Sequence, residues 1–136
     1  MAGLFSMKGR LNRAKYLLYV VVIYAITIGI YVAVIAGSVG AALATVDPNA
    51  PNELTAGGAA GMGIGMIIAF LVMAVGAVVA AFQTVKRFHD LGKPGWWYWL
   101  LVFIPFFNIY LLIILLFQKG TTGDNTYGGD PLAGKA

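Results

Sequence analysis

The stretch that decides the fold is YLLYVVVIYAITIGIYVAVIAGSVGAALATV, residues 16–46, which contains no charged side chain. Two further stretches, residues 54–85 and 96–118, are also free of Asp, Glu, Lys and Arg. Each is longer than the roughly 20 residues that a helix needs to cross ~30 Å of hydrocarbon. Because a bilayer offers no hydrogen bonds to an open backbone, the sequence predicts an all-α fold, a polytopic membrane bundle with three transmembrane helices.

The composition supports the same interpretation. The chain has 136 residues, of which 60% are hydrophobic and 10% charged, too few polar side chains to cover a soluble globule. We expect one membrane domain, residues 1–136, with spans near 16–45, 57–85 and 96–118 and a polar tail at 119–136. The first span is interpreted as uncleaved, because its apolar run exceeds the roughly 7–15 residues of a signal peptide.

The basic residues predict the orientation. They gather in a short interfacial segment before the first span and in the second connection, as Lys8, Arg10, Arg13 and Lys15, then Lys86, Arg87 and Lys93. The first connection, residues 47–53, has two acidic residues and no basic one. Short loops rich in Lys and Arg stay in the cytoplasm, so the amino terminus is predicted to be cytoplasmic. The net charge of +4 then reflects topology, and we expect no nucleic-acid partner.

The third apolar stretch is interrupted by Pro105 and Asn108. Proline removes a backbone donor and disfavours helical geometry at the residue before it. Two arrangements follow, a kinked single crossing or a re-entrant hairpin that returns the tail to the cytoplasmic side. The hairpin would need its broken backbone buried against other helices. We favour the kinked single crossing.

Small residues recur every four positions in the first two spans. The rows are Ala25, Gly29, Ala33, Gly37 and Ala41 in the first, and Gly57, Gly61, Gly65 and Ala69 in the second. Such rows let two helix backbones approach closely, so we expect these helices to pack against each other. The surplus of small faces also makes a homo-oligomer plausible. Residues 96–118 contain no Gly or Ala, which suits a lipid-facing helix or a docking face for a larger partner.

Few residues offer chemistry. The chain has no Cys and one His, and no ionisable side chain lies deep in a predicted span, which argues against a proton-coupled transporter. His89 and Asp90 invite a general-base interpretation, but no nucleophile or second carboxylate is placed to complete a site. We therefore expect no catalytic residues, no metal and no cofactor. A small homo-oligomeric channel or transporter remains the alternative function.

Three polar clusters, residues 5–16, 86–97 and 120–131, carry recognisable motifs. Their motif residues are Gly9, Arg10, Arg13 and Tyr16, then Arg87, His89, Asp90, Gly92, Gly95, Trp96 and Trp97, then Gly120, Gly123, Asn125, Tyr127, Gly128, Asp130 and Pro131. In these motifs the chain resembles the small bacterial inner-membrane proteins grouped as domain of unknown function 805. The resemblance implies a bacterial inner-membrane location and brings no established activity.

The polar clusters also supply the candidate binding surface. Arg10 and Arg13 are three residues apart, so on a helix they share a face and could grip one anionic group. Near an anionic leaflet each Lys or Arg contributes about 1 kcal/mol of binding. The candidate lipid-binding or ligand-binding residues are Arg10, Arg13, Lys86, Arg87, His89, Asp90, Lys93, Trp96 and Trp97. We expect an accessory or scaffold subunit whose cytoplasmic surface binds anionic lipids, as a homo-oligomer or within a larger membrane complex.

Overall fold

The computed structural model describes residues 3–51 and 53–134, and in this part of the chain the regular structure is helical. The helices are α1 (Arg13–Leu43), α2 (Ala56–Asp90), α3 (Trp97–Phe103) and α4 (Phe107–Phe117). Over the same residues, β pairing is limited to an isolated bridge between Asn125 and Gly128. The all-α prediction is confirmed. The polar tail is described as far as Gly134, and the last two residues of the predicted 119–136 tail lie outside the described residues.

Among the described residues, two helices are long and apolar enough to cross a membrane, α1 with 31 residues and α2 with 35. In their most apolar windows only 6% and 22% of the residues are buried. A core helix of a soluble protein would be mostly covered, whereas these helices expose apolar side chains along their length. They correspond to the first two predicted spans.

The third predicted span is broken in the structure. Helices α3 and α4 have 7 and 11 residues, so they rise only ~10 and ~16 Å and neither reaches across ~30 Å of hydrocarbon. Between them Phe106 has a φ of 66°, in the left-handed region that side chains with a Cβ rarely adopt. Since Pro105 cannot continue the helix and Phe106 reverses the chain, α3 and α4 pack against each other as a helical hairpin.

Both ends of this hairpin lie at the carboxyl-terminal end of α2. The ring of Trp97, at the start of α3, lies 6.4 Å from the ring of Phe88. The carbonyl of Leu115, near the end of α4, accepts a 2.9 Å hydrogen bond from Nε of Arg87. The structure therefore disagrees with the favoured kinked single crossing and shows the hairpin of the alternative, whose place relative to a membrane stays a prediction. The prediction of three transmembrane helices is not confirmed.

The turn between α3 and α4 is exposed, and its backbone groups form hydrogen bonds with nearby residues of the same turn. Phe106 is 84% exposed, in contrast to the expected burial against other helices. The amide of Phe107 donates to the carbonyl of Pro105 at 2.8 Å, and that of Asn108 donates to Ile104 at 3.2 Å. These short-range bonds replace the helical ladder that Pro105 interrupts.

The chain divides into two compact units, and the expectation of a single domain stays a prediction. Unit 1 comprises the residues up to Ile23 and those from Val78 onward, and unit 2 runs from Tyr24 to Ala77. The core of unit 1 joins the segment before α1, the start of α1, the end of α2 and α4. Its buried side chains are Leu11, Tyr16, Phe88, Leu91, Leu111, Ile114 and Leu115.

Within unit 2, α1 and α2 approach each other through small residues. A Cβ added at Gly65 would collide with Ser38, and one added at Gly76 would collide with Thr27. Ala69 is 1% exposed on the same side of α2. The two helices therefore approach each other closely at Gly65 and Gly76. Whether the rows of small residues act as a packing motif stays a prediction.

The predicted small-residue rows coincide with this contact only in part. Gly65 and Ala69 are buried, whereas the remaining members are exposed, namely Ala25, Gly29, Ala33, Gly37, Ala41, Gly57 and Gly61. Four residues rotate an α-helix by about 400°, so a row with a spacing of four drifts by about 40° per step. The five residues of the α1 row therefore cannot all lie on one face of the helix. Whether its exposed members contact a second copy stays a prediction.

This difference between neighbouring glycines can be tested on α2. Gly65→Leu should destabilise the protein by about 1–3 kcal/mol, because the new side chain overpacks the contact with Ser38. Gly61→Leu is the matched control one turn away, where a Cβ meets nothing within 4 Å. Thermal unfolding in detergent measures both, and equal midpoints for the two variants would contradict the contact.

Candidate functional site

A buried ion cluster lies at the end of α2 in unit 1, formed by Asp90, Arg87 and Arg10. Asp90 and Arg87 are one helical turn apart, which places both side chains on the same face. Nη1 of Arg87 donates to Oδ2 of Asp90, and Nε of Arg10 donates to Oδ1 at 3.1 Å. The three residues are 2%, 0% and 9% exposed, so the carboxylate is held between two guanidinium groups away from solvent.

Arg87 also binds the end of α4. Its Nε donates to the carbonyl of Leu115 at 2.9 Å, and its Nη2 donates to the carbonyl of Gln118. Its Nη1 is 3.5 Å from the carbonyl of Leu11 in the amino-terminal segment. The last carbonyls of a helix have no partner within the helix, and a charged donor stabilises them strongly. Arg87 therefore fixes where α4 ends.

Arg10 binds backbone carbonyls of the tail. Its Nη1 donates to the carbonyl of Gly123 at 2.5 Å and lies 3.4 Å from that of Gly128, and its Nη2 donates to the carbonyl of Thr121. The amino-terminal segment thus reaches the tail through a guanidinium group that contacts backbone carbonyls on one side and Asp90 on the other.

The tail in turn covers the end of α2. The amide and the hydroxyl of Thr121 both donate to the carbonyl of Asp90, at 2.8 and 3.0 Å. Nδ2 of Asn125 donates to the carbonyl of His89 at 2.9 Å. These donors satisfy carbonyls that the helix leaves open at its carboxyl-terminal end.

The motif residues of the tail shape a small turn over His89. Backbone bonds of 3.1 and 3.0 Å pair Asn125 with Gly128, whose φ of 135° favours glycine. The turn places the ring of Tyr127 flat on the imidazole of His89, with centroids 4.1 Å apart and an interplanar angle of 1°. The imidazole is therefore part of a stacked pair in the described structure.

Asp130 closes the tail on itself. Its Oδ2 accepts from the amide of Gly123 at 2.9 Å, and its Oδ1 accepts from the amide of Leu132 at 2.8 Å. These two backbone donors lower the pKa of Asp130 below its ordinary value. Because the pKa of Asp130 is lower in the folded state, its carboxylate stabilises the folded tail at pH values above the ordinary pKa of Asp. This stabilisation is lost as the pH falls through the pKa of the folded state.

The remaining predicted site residues divide by environment. Lys86 is 2% exposed and its Nζ donates to the carbonyl of Gly3 at 2.8 Å. Nζ of Lys93 lies 3.8 Å from the ring centroid of Trp97, a cation–π contact. Trp96 is 58% exposed. Arg13 is exposed, with Nη1 3.4 Å from the carbonyl of Phe117.

Sequence reasoning missed several residues that the structure brings to this site. Gln83 is fully buried in α2 and its Nε2 donates to the carbonyl of Leu4 at 2.7 Å. Gly120 lies against Asp90 so closely that an added Cβ would collide with the carboxylate. The tail motif included Gly120, but the motif alone gives no reason for a glycine there.

A cavity of about 460 Å³ lies beside the ion cluster, also within unit 1. Residues at the start of α1, at the end of α2 and in the tail line it, among them Asn12, Arg13, Asp90, Lys119, Thr121, Thr122 and Asp130. Across the described residues, no three His, Cys, Asp or Glu side chains come together in a group that could hold a metal ion. The lining thus presents two cations, two carboxylates and two threonine hydroxyls.

Removing the carboxylate tests the ion cluster. Asp90→Asn should destabilise the protein by about 3–5 kcal/mol, because it leaves two buried guanidinium groups without their counter-charge. Glu53→Gln is the matched control, since Glu53 is exposed in the first connection. Thermal unfolding in detergent compares them, and an Asp90→Asn midpoint within error of the control would overturn the structural role.

The contact at Gly120 gives a second test. Gly120→Ala should loosen the tail, because the methyl group occupies the space of the Asp90 carboxylate. Gly129→Ala is the control within the same tail, where an added Cβ meets only Oδ1 of Asp124 at 3.6 Å, an ordinary contact. Limited proteolysis should release the tail of the Gly120 variant faster, and equal cleavage rates for both variants would speak against the contact.

Known proteins resemble this chain in sequence. The inner membrane protein YhaI of Escherichia coli (strain K12) is 40% identical over 50 residues, covering 37% of this chain and 42% of YhaI. The inner membrane protein YhaH of the same strain is 41% identical over 46 residues, covering 34% of this chain and 37% of YhaH. The matched stretches thus span less than half of these relatives. No solved structure matches the chain.

A comparison with protein families matches most of the chain. The family described as "Protein of unknown function (DUF805)" matches residues 4–129, which include the amino-terminal segment, all four helices and most of the tail. Its match covers the ion cluster together with the residues that hold the tail against α2. The chain belongs to the DUF805 family of proteins of unknown function.

Proposed function

We propose that this protein is a non-enzymatic accessory or scaffold subunit of a bacterial inner membrane, and that unit 1 binds anionic lipid headgroups. The observation that carries the proposal is the set of accessible cations in unit 1, together with two exposed tryptophans, Trp96 and Trp99. The long apolar helices and the inner-membrane names of YhaI and YhaH support the location.

The accessible cations of unit 1 outnumber its accessible carboxylates. Lys8, Arg13, Lys15 and Lys119 are exposed and Lys93 is half-buried, whereas the described acidic residues of unit 1 outside the ion cluster are Asp124 and Asp130. A leaflet that contains anionic lipids attracts each such cation by about 1 kcal/mol. The amino-terminal segment and the second connection therefore favour one cytoplasmic leaflet, in agreement with the distribution of Lys and Arg along the chain.

Exposed tryptophans mark the depth at which this surface would sit. Trp96 and Trp99 are 58% and 57% exposed, and Lys93 lies three residues before Trp96. Indole rings prefer the headgroup region, where the apolar ring is covered and the N–H reaches polar groups. The pair is therefore suited to anchoring the start of α3 at the interface.

Only some of the predicted lipid-binding residues are accessible enough to contact a lipid. Arg10, Lys86 and Arg87 donate to carbonyls of the protein and are almost fully buried, so we assign them a structural role. Arg13, Lys93 and Trp96 remain accessible and keep the lipid-binding role. Asp90 is engaged by two guanidinium groups, which supports a framework role over a general-base one.

A second candidate is a small homo-oligomeric channel or transporter. The observation in its favour is the exposed row of small residues on α1, which leaves a smooth face that a second copy could pack against. Ion flux into liposomes that contain the purified protein separates the two candidates, since the scaffold proposal requires none.

Removal of surface charge tests the lipid-binding proposal. Replacing Lys8, Lys15 and Lys93 together with Gln should lower the total anionic lipid that co-purifies in detergent by about tenfold or more. Raising the salt from about 0.1 M to about 1 M should strip the same lipid from the wild type, because the Debye length falls from ~10 to ~3 Å.

The matched control keeps the charge at all three positions. A variant with Arg in place of Lys8, Lys15 and Lys93 should retain wild-type lipid, and lipid analysis by mass spectrometry measures all three proteins. Equal anionic lipid in the Gln and Arg variants, with no response to salt, would reject the proposal.

A further inference from the structure

We propose that the cavity beside the ion cluster binds one phosphate ester group, held by Arg13 and Lys119 with the hydroxyl of Thr122. This inference rests on the proposed lipid-binding function and assigns it a defined site. The favoured source of the phosphate is the headgroup of an anionic phospholipid, and a soluble phosphate ester shares the same chemistry.

The cavity is built from three separate segments of unit 1. Arg13 is the first residue of α1, Asp90 is the last residue of α2, and Lys119 and Thr122 lie in the tail after α4. The ion cluster fixes these segments relative to one another, so the cavity is formed before a ligand arrives. Its volume of about 460 Å³ is within the range of about 300–1,000 Å³ typical of small-molecule sites.

The charges at the cavity favour an anion. Both of its carboxylates are already engaged, Asp90 by guanidinium groups and Asp130 by the backbone amides of Gly123 and Leu132. Arg13 and Lys119 form no salt bridge with any residue that the structure describes. Counted together with Arg10 and Arg87 of the ion cluster, they give four cations against the two carboxylates Asp90 and Asp130, so positive charge is in excess at this site.

The donor types at the cavity match a phosphate. The guanidinium of Arg13 presents parallel donors that can contact two phosphate oxygens, and the ammonium of Lys119 adds a compact charge. The hydroxyl of Thr122 makes no hydrogen bond to another described residue, whereas that of Thr121 is bound to Asp90. Thr122 is thus the hydroxyl available to a ligand.

The surroundings of the cavity favour a lipid as the source of the phosphate. Leu17, one turn after Arg13, is 50% exposed, and Phe117, two residues before Lys119, is 70% exposed. Neither residue lines the cavity, but both are close to Arg13, which does: Leu17 lies on the same face of α1, and Nη1 of Arg13 is 3.4 Å from the carbonyl of Phe117. Exposed apolar side chains are therefore available next to the cavity. A phospholipid has a matching arrangement, since its phosphate is polar and its acyl chains next to the phosphate are apolar.

The experiment measures a single tightly bound lipid. Full-length protein in detergent is titrated with phosphatidylglycerol and, separately, with phosphatidylcholine, and native mass spectrometry counts the lipid bound at a stoichiometry of one. Arg13→Gln and Lys119→Gln should each weaken phosphatidylglycerol binding by about fivefold. Glu53→Gln, an exposed charged residue outside the cavity lining and outside the proposed lipid-binding residues, should leave this first lipid unchanged.

Folding is controlled separately. Because Arg13 and Lys119 are exposed, their Gln variants should unfold at the wild-type temperature. Lys119→Arg should restore binding, since it returns the charge. Binding that is lost in Lys119→Gln and not restored in Lys119→Arg would contradict a site that works through charge.

A soluble competitor distinguishes the two sources. Glycerol 3-phosphate that fails to displace phosphatidylglycerol supports the lipid source, and efficient displacement with the same variant sensitivity supports the phosphate site with a soluble ligand. Unchanged phosphatidylglycerol binding in both Gln variants overturns the inference. If the inference fails in this way, a loss of total anionic lipid in the Lys8, Lys15 and Lys93→Gln variant would still support the proposed function. Unchanged total lipid in that variant would reject the proposed function as well.

Discussion

The carboxylate of Asp90, buried between the guanidinium groups of Arg10 and Arg87, is the interaction on which unit 1 depends. Moving such ions out of water costs several kcal/mol each, and only complete pairing with further hydrogen bonds offsets that cost. The required partners come from four places in the chain. The amino-terminal segment, the end of α2, the end of α4 and the tail must therefore assemble together.

This requirement accounts for the path of the third apolar segment. Arg87 donates to carbonyls at Leu115 and Gln118, so the end of α4 has to return to the end of α2. A single crossing would carry those carbonyls far away and leave the arginine buried without acceptors. Pro105 supplies the break that permits the return, and the left-handed Phe106 completes it.

The sequence was informative where the signal was local. Charge-free runs predicted the long helices, and the three motifs lie in segments that contact one another in unit 1. The fates of Arg10 and Arg13 could not be predicted from their neighbourhood, because the partners that bury Arg10 lie more than 100 residues away, in the tail. The contact face of α2 was likewise missed in part, since a row with a spacing of four drifts around a helix while the contact stays on one side.

The most direct test of this account is the side of the membrane on which the tail lies. The chain has no native Cys, so a single cysteine at Lys8 and another at Ala133, both exposed, can be labelled separately with a membrane-impermeant maleimide in intact and opened cells. If the ion cluster holds the amino-terminal segment and the tail together, both cysteines react under the same condition. Labelling of one in intact cells and of the other only after opening would contradict the account.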